Sequence, residues 1–222
     1  MKFDLLTIFP ECLESYFNSS ILGRAQKNKL IKINTHDIRE QTKDKRRTVD
    51  DTPYGGGPGM VLQIEPVYKT LKKIYKIKNK NTQVILLSPR GETLTQNKVK
   101  ELSKYKRLIF IAGHYEAIDA RIDNFIDQKI SLGNFIMTGG ELAAAAVIDS
   151  VARLVPGVLG KAESLEDESF SEYNQKTKEF NIEYPQYTRP EVFKGLKVPE
   201  VLLSGNHQKI KEWRKQQSAL RQ

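Results

Sequence analysis

Cysteine is nearly absent. Cys12 is the single one in 222 residues, which excludes an internal disulfide framework and any multi-cysteine metal site and makes a reducing, cytoplasmic setting the default. Long apolar runs are missing too. The opening MKFDLLTIFPE carries one lysine and a short apolar stretch cut by Asp4 and Pro10, too short and too charged for a signal peptide or a membrane span. Lys2 to Phe9 reads instead as a buried first strand. No internal repeat or low-complexity segment is present. Acid is in deficit, with 27 Asp and Glu against 36 Lys and Arg, a formal net charge of +9. That sign favours a polyanionic partner, nucleic acid or anionic lipid, without proving either. With 39% hydrophobic residues, the chain is long enough to bury a sizeable core as one large domain or a large one plus a small one.

Short apolar runs bounded by turn residues recur at Phe3–Phe9, Ile31–His36, Val84–Leu87 and Leu108–Ala112, with helix-like stretches between them. Alternation of this kind predicts an α/β fold with parallel strands joined by crossovers. Pro66 is placed to open a helix running to about Lys78, Thr95 to cap one reaching Tyr105, and Gly139-Gly140 to precede the helical run Glu141–Val155. Between Gly160 and Pro185 periodicity disappears and polar residues dominate, so the segment 161–185 reads as a mobile linker or active-site loop dividing residues 1–160 from 186–222. The part beyond it ends in a basic helix, His207–Leu220, and reads as a small C-terminal domain.

The glycines carry the first functional signal. Pro53-Tyr54-Gly55-Gly56-Gly57-Pro58-Gly59-Met60 holds four glycines in five positions, so its backbone can take positive φ and approach a ligand closely. Its spacing matches neither the Walker A pattern nor the dinucleotide fingerprint; a tight structural turn is the plain alternative. Lys43, Lys45, Arg46 and Arg47 crowd beside it, either as phosphate contacts or as a solvated surface. The run Lys69–Lys80, with six lysines and no acid, carries the same two readings. Two more glycine-marked turns follow apolar strands, Leu87–Gly91 and Ala112–Glu116. A third, Leu132–Gly140, runs into the alanine-rich helix. Ligands of α/β proteins collect at the carboxyl ends of strands, so three such loops are candidates to converge on one pocket.

Taken in order, Ile8-Phe9-Pro10-Glu11, PYGGGPGM, LSPRG, GHYEAIDAR, TGGEL, DSVARLVPGVLG and QYTRPEVFKGLKVPEVLLSGNH closely resemble the bacterial tRNA (guanine-N1)-methyltransferases. The resemblance spans nearly the whole chain. It implies a SPOUT-type α/β methyltransferase domain with a parallel sheet and a deep C-terminal trefoil knot, then a small helical tRNA-binding domain, in a homodimer whose active sites lie at the subunit interface. Nothing in composition or spacing implies a knot, and general topology rules would reject one. By the same resemblance the methyl donor is S-adenosyl-L-methionine, held largely by backbone groups of the three loops. The implied cofactor residues are Leu87, Pro89, Gly91, Gly113, Tyr115, Glu116, Leu132, Gly133, Asn134, Phe135, Ile136, Met137, Gly139 and Gly140. Arg47, Gly57, Gly59, Arg189 and Lys215 are the implied tRNA-binding residues.

The chemistry sets what the catalytic pair must be. Guanine N1 carries a proton at neutral pH, so a base must remove it before the lone pair can attack a methyl sulfonium. Negative charge then builds on O6, where a fixed cation stabilises the transition state. Arg153 matches the family arginine in that second role, although Asp149 four residues earlier allows a plain i,i+4 ion pair. The family base is an aspartate just before Ser-Phe; here Glu168 precedes Ser169-Phe170, with Asp167 as the fallback.

Other departures are Ala143 where proline is usual, Asn134 where aspartate is common and His114 where arginine is common. The stretch Ser171–Glu183 is longer than usual, and family members typically continue beyond the last helix, a difference expected to weaken tRNA binding. The resemblance also implies magnesium dependence, but no local Asp/Glu/His cluster supplies ligands, so no metal residue is assigned. Two alternatives stay open at this point. One is a knotted methyltransferase acting on a ribose 2′-hydroxyl. The other is a non-catalytic RNA-binding protein that retains the fold.

Overall fold

The computed structural model describes residues 1–159, 169–170, 173–174, 179–180 and 182–219. The chain divides into two compact units, Met1–Gly160 and Lys161–Gln222.

The first unit is built on a parallel sheet of β1 (Lys2–Thr7), β2 (Lys32–Asp37), β5 (Thr82–Thr93), β6 (Arg107–Ala112) and β8 (Gln128–Ser131), in the order β2-β1-β6-β5-β8. A smaller sheet joins β3 (Asp50–Asp51), β4 (Val61–Leu62) and β7 (Ala117–Ile118). The helices are α1 (Glu14–Phe17), α2 (Ser20–Lys27), α3 (Ile64–Ile74), α4 (Gln96–Leu102) and α5 (Glu141–Ala152). The parallel α/β expectation is met.

Central strands explain the continuous apolar runs. β6 is flanked by β1 and β5 and covered on both faces, so Leu108 through Ala112 are all fully buried. Strand alternation then sorts two cores. Phe3, Leu5, Ile85, Leu87, Phe110 and Ile130 pack under the apolar faces of α1, α2, α4 and α5. Leu6, Val84, Leu86, Ile109 and Ile111 pack on the opposite face against Val67 and Leu71 of α3, whose apolar residues recur at helical spacing.

The structure moves several boundaries. β1 ends at Thr7, and α3 begins at Ile64, leaving Pro66 in its first turn, where its missing N–H is not required. The same helix stops at Ile74 rather than Lys78. Thr95 does cap α4, its hydroxyl accepting from the Lys98 amide at 3.3 Å, but that helix ends at Leu102. α5 ends at Ala152, short of Val155. Leu87–Gly91 is not a turn closing a strand. β5 continues to Thr93, with Leu87 and Glu92 both registered on Ile130 of β8, so residues 88–91 form an excursion from the ladder.

In the second unit β9 (Tyr173–Asn174) pairs antiparallel with β10 (Glu179–Phe180), and β11 (Val192–Phe193) with β12 (Leu196–Lys197). Helices α6 (Glu200–Leu203) and α7 (His207–Ala219) follow. Tyr187 packs on Trp213 with ring centroids 6.3 Å apart, and the Arg214 guanidinium lies 4.6 Å from the centre of the Tyr184 ring.

Candidate functional site

The loops leaving β6 and β8 are held together by backbone, and the excursion within β5 lies against β8. The Gly140 amide donates to the Gly113 carbonyl at 2.8 Å, and His114 and Gly139 form an antiparallel bridge. Glycine is required at these approaches. A Cβ on Gly140 would stand 2.9 Å from Ala112 Cα, and one on Gly91 would meet the backbone of Lys129 and Ile130. Leu132 and Met137 are half-buried against the core, whereas Asn134, Phe135 and Ile136 face solvent. Leu87 is buried, Pro89 is exposed at the tip of the β5 excursion, and Gly133 takes a φ of 146°. Tyr115 has a φ of 59° and is exposed, as is Glu116 beside it.

The glycine-rich loop joins the same cluster. β4 pairs with β7, and the Glu116 amide donates to the Met60 carbonyl at 3.1 Å, which seats residues 53–60 beside the 113–116 loop. Gly59, at φ 83°, abuts the Glu116 side chain, which would have to shift to admit a Cβ. Gly57 has nothing within 4 Å of a Cβ position. Arg47 is exposed, and its Nη2 donates to Asp37 Oδ2 at 2.6 Å.

The first turn of α5 brings in a residue that sequence reading overlooked. Glu141 is buried, and its Oε1 accepts from the Thr7 hydroxyl at 2.7 Å. The Thr7 hydroxyl in turn accepts from the Phe9 amide at 3.0 Å. A carboxylate opening an otherwise alanine-rich run was the available signal. Arg153 lies half-buried at the C-terminal end of the same helix. Asp149 is engaged by Tyr16, whose phenol is raised by burial first and then by the charge of, and hydrogen bond to, Asp149.

Glu168 and its fallback Asp167 lie outside the described residues. Arg189 and Lys215 are exposed in the second unit. Among the described residues no group of three or more His, Cys, Asp or Glu converges to hold a metal ion, and no described helix is long and apolar enough to cross a membrane.

A family model for tRNA (Guanine-1)-methyltransferase TrmD matches residues 1–222. The chain belongs to that family. It is 53% identical over 220 residues to a tRNA (guanine-N(1)-)-methyltransferase of Clostridium botulinum, covering 99% of this chain and 88% of the relative. It is 52% identical over 220 residues to one of Clostridium perfringens, covering 99% and 89%. The crystal structure of tRNA (m1G37) methyltransferase from Aquifex aeolicus superposes with a TM-score of 0.78 at 40% identity, over 96% of this chain and 87% of that one. The family's methyl transfer makes the cluster of glycine loops the candidate active site. A methyltransferase of this family requires a methyl donor, and the close-set backbone at Gly113, Gly139 and Gly140 suits a ligand read through main-chain groups.

Proposed function

We propose that this enzyme methylates N1 of the guanosine immediately 3′ of the tRNA anticodon, using S-adenosyl-L-methionine. The observation that carries the reading is the whole-length family match together with the backbone bond that sets the Gly139-Gly140 turn against Gly113. The cofactor would rest on Leu87, Pro89, Gly91, Gly113, Tyr115 and Glu116, and on residues 132–137 with Gly139 and Gly140, where small residues let the backbone approach it. When bound, S-adenosyl-L-methionine supplies an electrophilic methyl group on a sulfonium. Every other task falls to the protein. The Glu168 carboxylate removes the N1 proton, so that the ring nitrogen gains its lone pair. Arg153 faces the charge that builds on O6. Gly57, Gly59 and Arg47 meet the RNA from the first unit, and Arg189 and Lys215 from the second. On this reading the segment 161–185 carries the base to the target when RNA binds.

We also infer a SPOUT-type knot and a homodimer. Support for the knot is the β5 excursion, with Gly91 against the backbone of β8 and Gly140 against Ala112, where strands and loops cross without room for a side chain. Support for the dimer is the apolar surface left open on the first unit, with Leu142 of α5 64% exposed and Tyr16 of α1 46%. Residence in the cytoplasm follows from the tRNA substrate. Magnesium dependence stays part of the reading, with no ligand residues assigned.

The experiment is incubation with methyl-labelled S-adenosyl-L-methionine and an unmodified tRNA transcript bearing guanosine 3′ to its anticodon, with the product located by nucleoside analysis. Native protein is expected to make 1-methylguanosine. Glu168→Gln is expected to bind cofactor normally and to lose about 10²-fold or more in rate, the usual range for a general base. Cofactor and tRNA binding without transfer by native protein would point to an RNA-binding protein that retains the fold.

A further inference from the structure

One polar atom in the loop cluster is buried and unpartnered. His114 Nδ1 makes no hydrogen bond, yet the nearest charge is the Glu141 carboxylate, whose Oε2 lies 3.7 Å away. That is too long for a direct hydrogen bond and short enough to orient a ring. The arrangement around it is tightly determined. Phe9 meets the imidazole edge-on at 5.0 Å between centroids and Tyr115 at 5.3 Å, so the ring contacts two aromatic side chains. Thr7 fixes the other oxygen of Glu141 at 2.7 Å. Gly139 sits between the two partners, where a Cβ would collide with both Glu141 Oε2 and His114 Nδ1. The second ring nitrogen, Nε2, is neither buried nor hydrogen-bonded.

We propose that Glu141 is a positioning residue that acts through His114. The carboxylate draws the Nδ1–H inward, so that Nε2 is presented outward as a lone-pair acceptor to a hydrogen-bond donor of the bound RNA. The donor is an exocyclic amino group or a ribose hydroxyl of the target nucleotide, since phosphate offers only acceptors. At 3.7 Å it is the charge of the carboxylate, not a hydrogen bond, that favours the tautomer with its proton on Nδ1. Thr7 and Gly139 complete the device, one by fixing the carboxylate and the other by leaving space for the approach. The proposal rests on methyl transfer to a tRNA guanosine.

A double-mutant cycle tests it, with Glu141→Gln, which keeps the volume and the Thr7 contact, and His114→Phe, which keeps both aromatic contacts and removes both nitrogens. Each single variant is expected to lower kcat/KM for tRNA about tenfold, the scale of one lost substrate hydrogen bond, while the affinity for S-adenosylhomocysteine and the thermal midpoint stay near the native values. The double variant is expected to be no worse than His114→Phe alone. A tRNA carrying inosine at the target, which lacks the amino group, or 2′-deoxyguanosine there, then identifies the donor. The His114→Phe penalty vanishes in the substrate missing the partner. Additive losses in the cycle overturn the proposal, as does loss of cofactor affinity in Glu141→Gln or a penalty that persists with both altered substrates. A native enzyme that forms no 1-methylguanosine overturns the assigned reaction itself; a working native enzyme with a fully active His114→Phe overturns the positioning role alone.

Discussion

The Gly140 amide reaches across 2.8 Å to the carbonyl of Gly113, tying the turn that opens α5 to the loop that leaves β6. The Cα of Ala112 lies where a side chain on Gly140 would begin. Gly140→Ala is therefore expected to separate the two loops without unfolding the sheet below. Affinity for S-adenosylhomocysteine should fall about tenfold to a hundredfold, matching the usual 1–3 kcal/mol of overpacking, as read by calorimetric titration.

Gly55 and Gly59 share a left-handed backbone, with φ of 87° and 83°, but differ in what surrounds them. Alanine at either position carries the same conformational penalty, about 1–2 kcal/mol. At Gly59 the new methyl also displaces Glu116, whereas nothing lies within 4 Å at Gly55. The two alanine variants should lose similar amounts of thermal midpoint. Gly59→Ala alone should then lose a further tenfold or so in kcat/KM for tRNA, about 1.4 kcal/mol.

Asp4 of β1 is wholly buried, and it accepts from Asn34 at 2.9 Å and from Arg107 Nε at 2.7 Å and sits 2.8 Å from His36 Nε2. Burial pushes its pKa up, but the hydrogen bonds from His36 and Arg107 and the charges of Arg107 and Lys2 outweigh it and hold the carboxyl at about 2. A folded-state pKa below the unfolded value of about 3.9 means stability that is present above pH ~4 and fades as pH falls toward 2. The contribution is about 2.5 kcal/mol. Asp4→Asn also strands the Arg107 charge, so urea unfolding at pH 7 should show a loss of about 3 kcal/mol. The gap between native and variant protein should narrow as pH is lowered from 4 to 2.

Three of the six lysines on and after α3 are paired with acids. Lys69 pairs with Glu65, Lys73 with Glu40 at 3.1 Å and Lys78 with Asp127 at 2.5 Å. A phosphate track would need those charges free. Lys73→Ala should leave tRNA affinity within about twofold and the salt dependence unchanged, whereas Lys215→Ala on exposed α7 should reduce the slope of log K against log salt by about 1.

Legibility in the sequence followed burial. β6 announces itself because both faces are covered, leaving a continuous apolar run, and β1 does so despite the buried Asp4 that interrupts its apolar residues. β8 does not: in Gln-Lys-Ile-Ser only Ile130 and Ser131 are buried, and its place in the sheet comes from pairing with β5 on either side of the excursion. The glycines and the TGGEL turn marked loops whose backbones do approach closely, because such approach restricts residue type locally. The contacts that organise the site were invisible, since Thr7 and Glu141 stand 134 residues apart and His114 meets both Phe9 and Glu141 only once three strands are aligned. The sequence-based turn at Leu87–Gly91 failed because a proline and a glycine mark a departure from a ladder as readily as its end.

The sheet order also sets a timetable for synthesis. β1 finds β2 early, but its other neighbour is β6, and Asp4 waits 103 residues for Arg107. At ~5–20 residues per second, ribosomes leave that edge of an apolar strand uncovered for roughly 5–20 s. Over that interval the β6-facing edge of β1, with Phe3, Leu5 and Leu6, stays an unpaired strand edge.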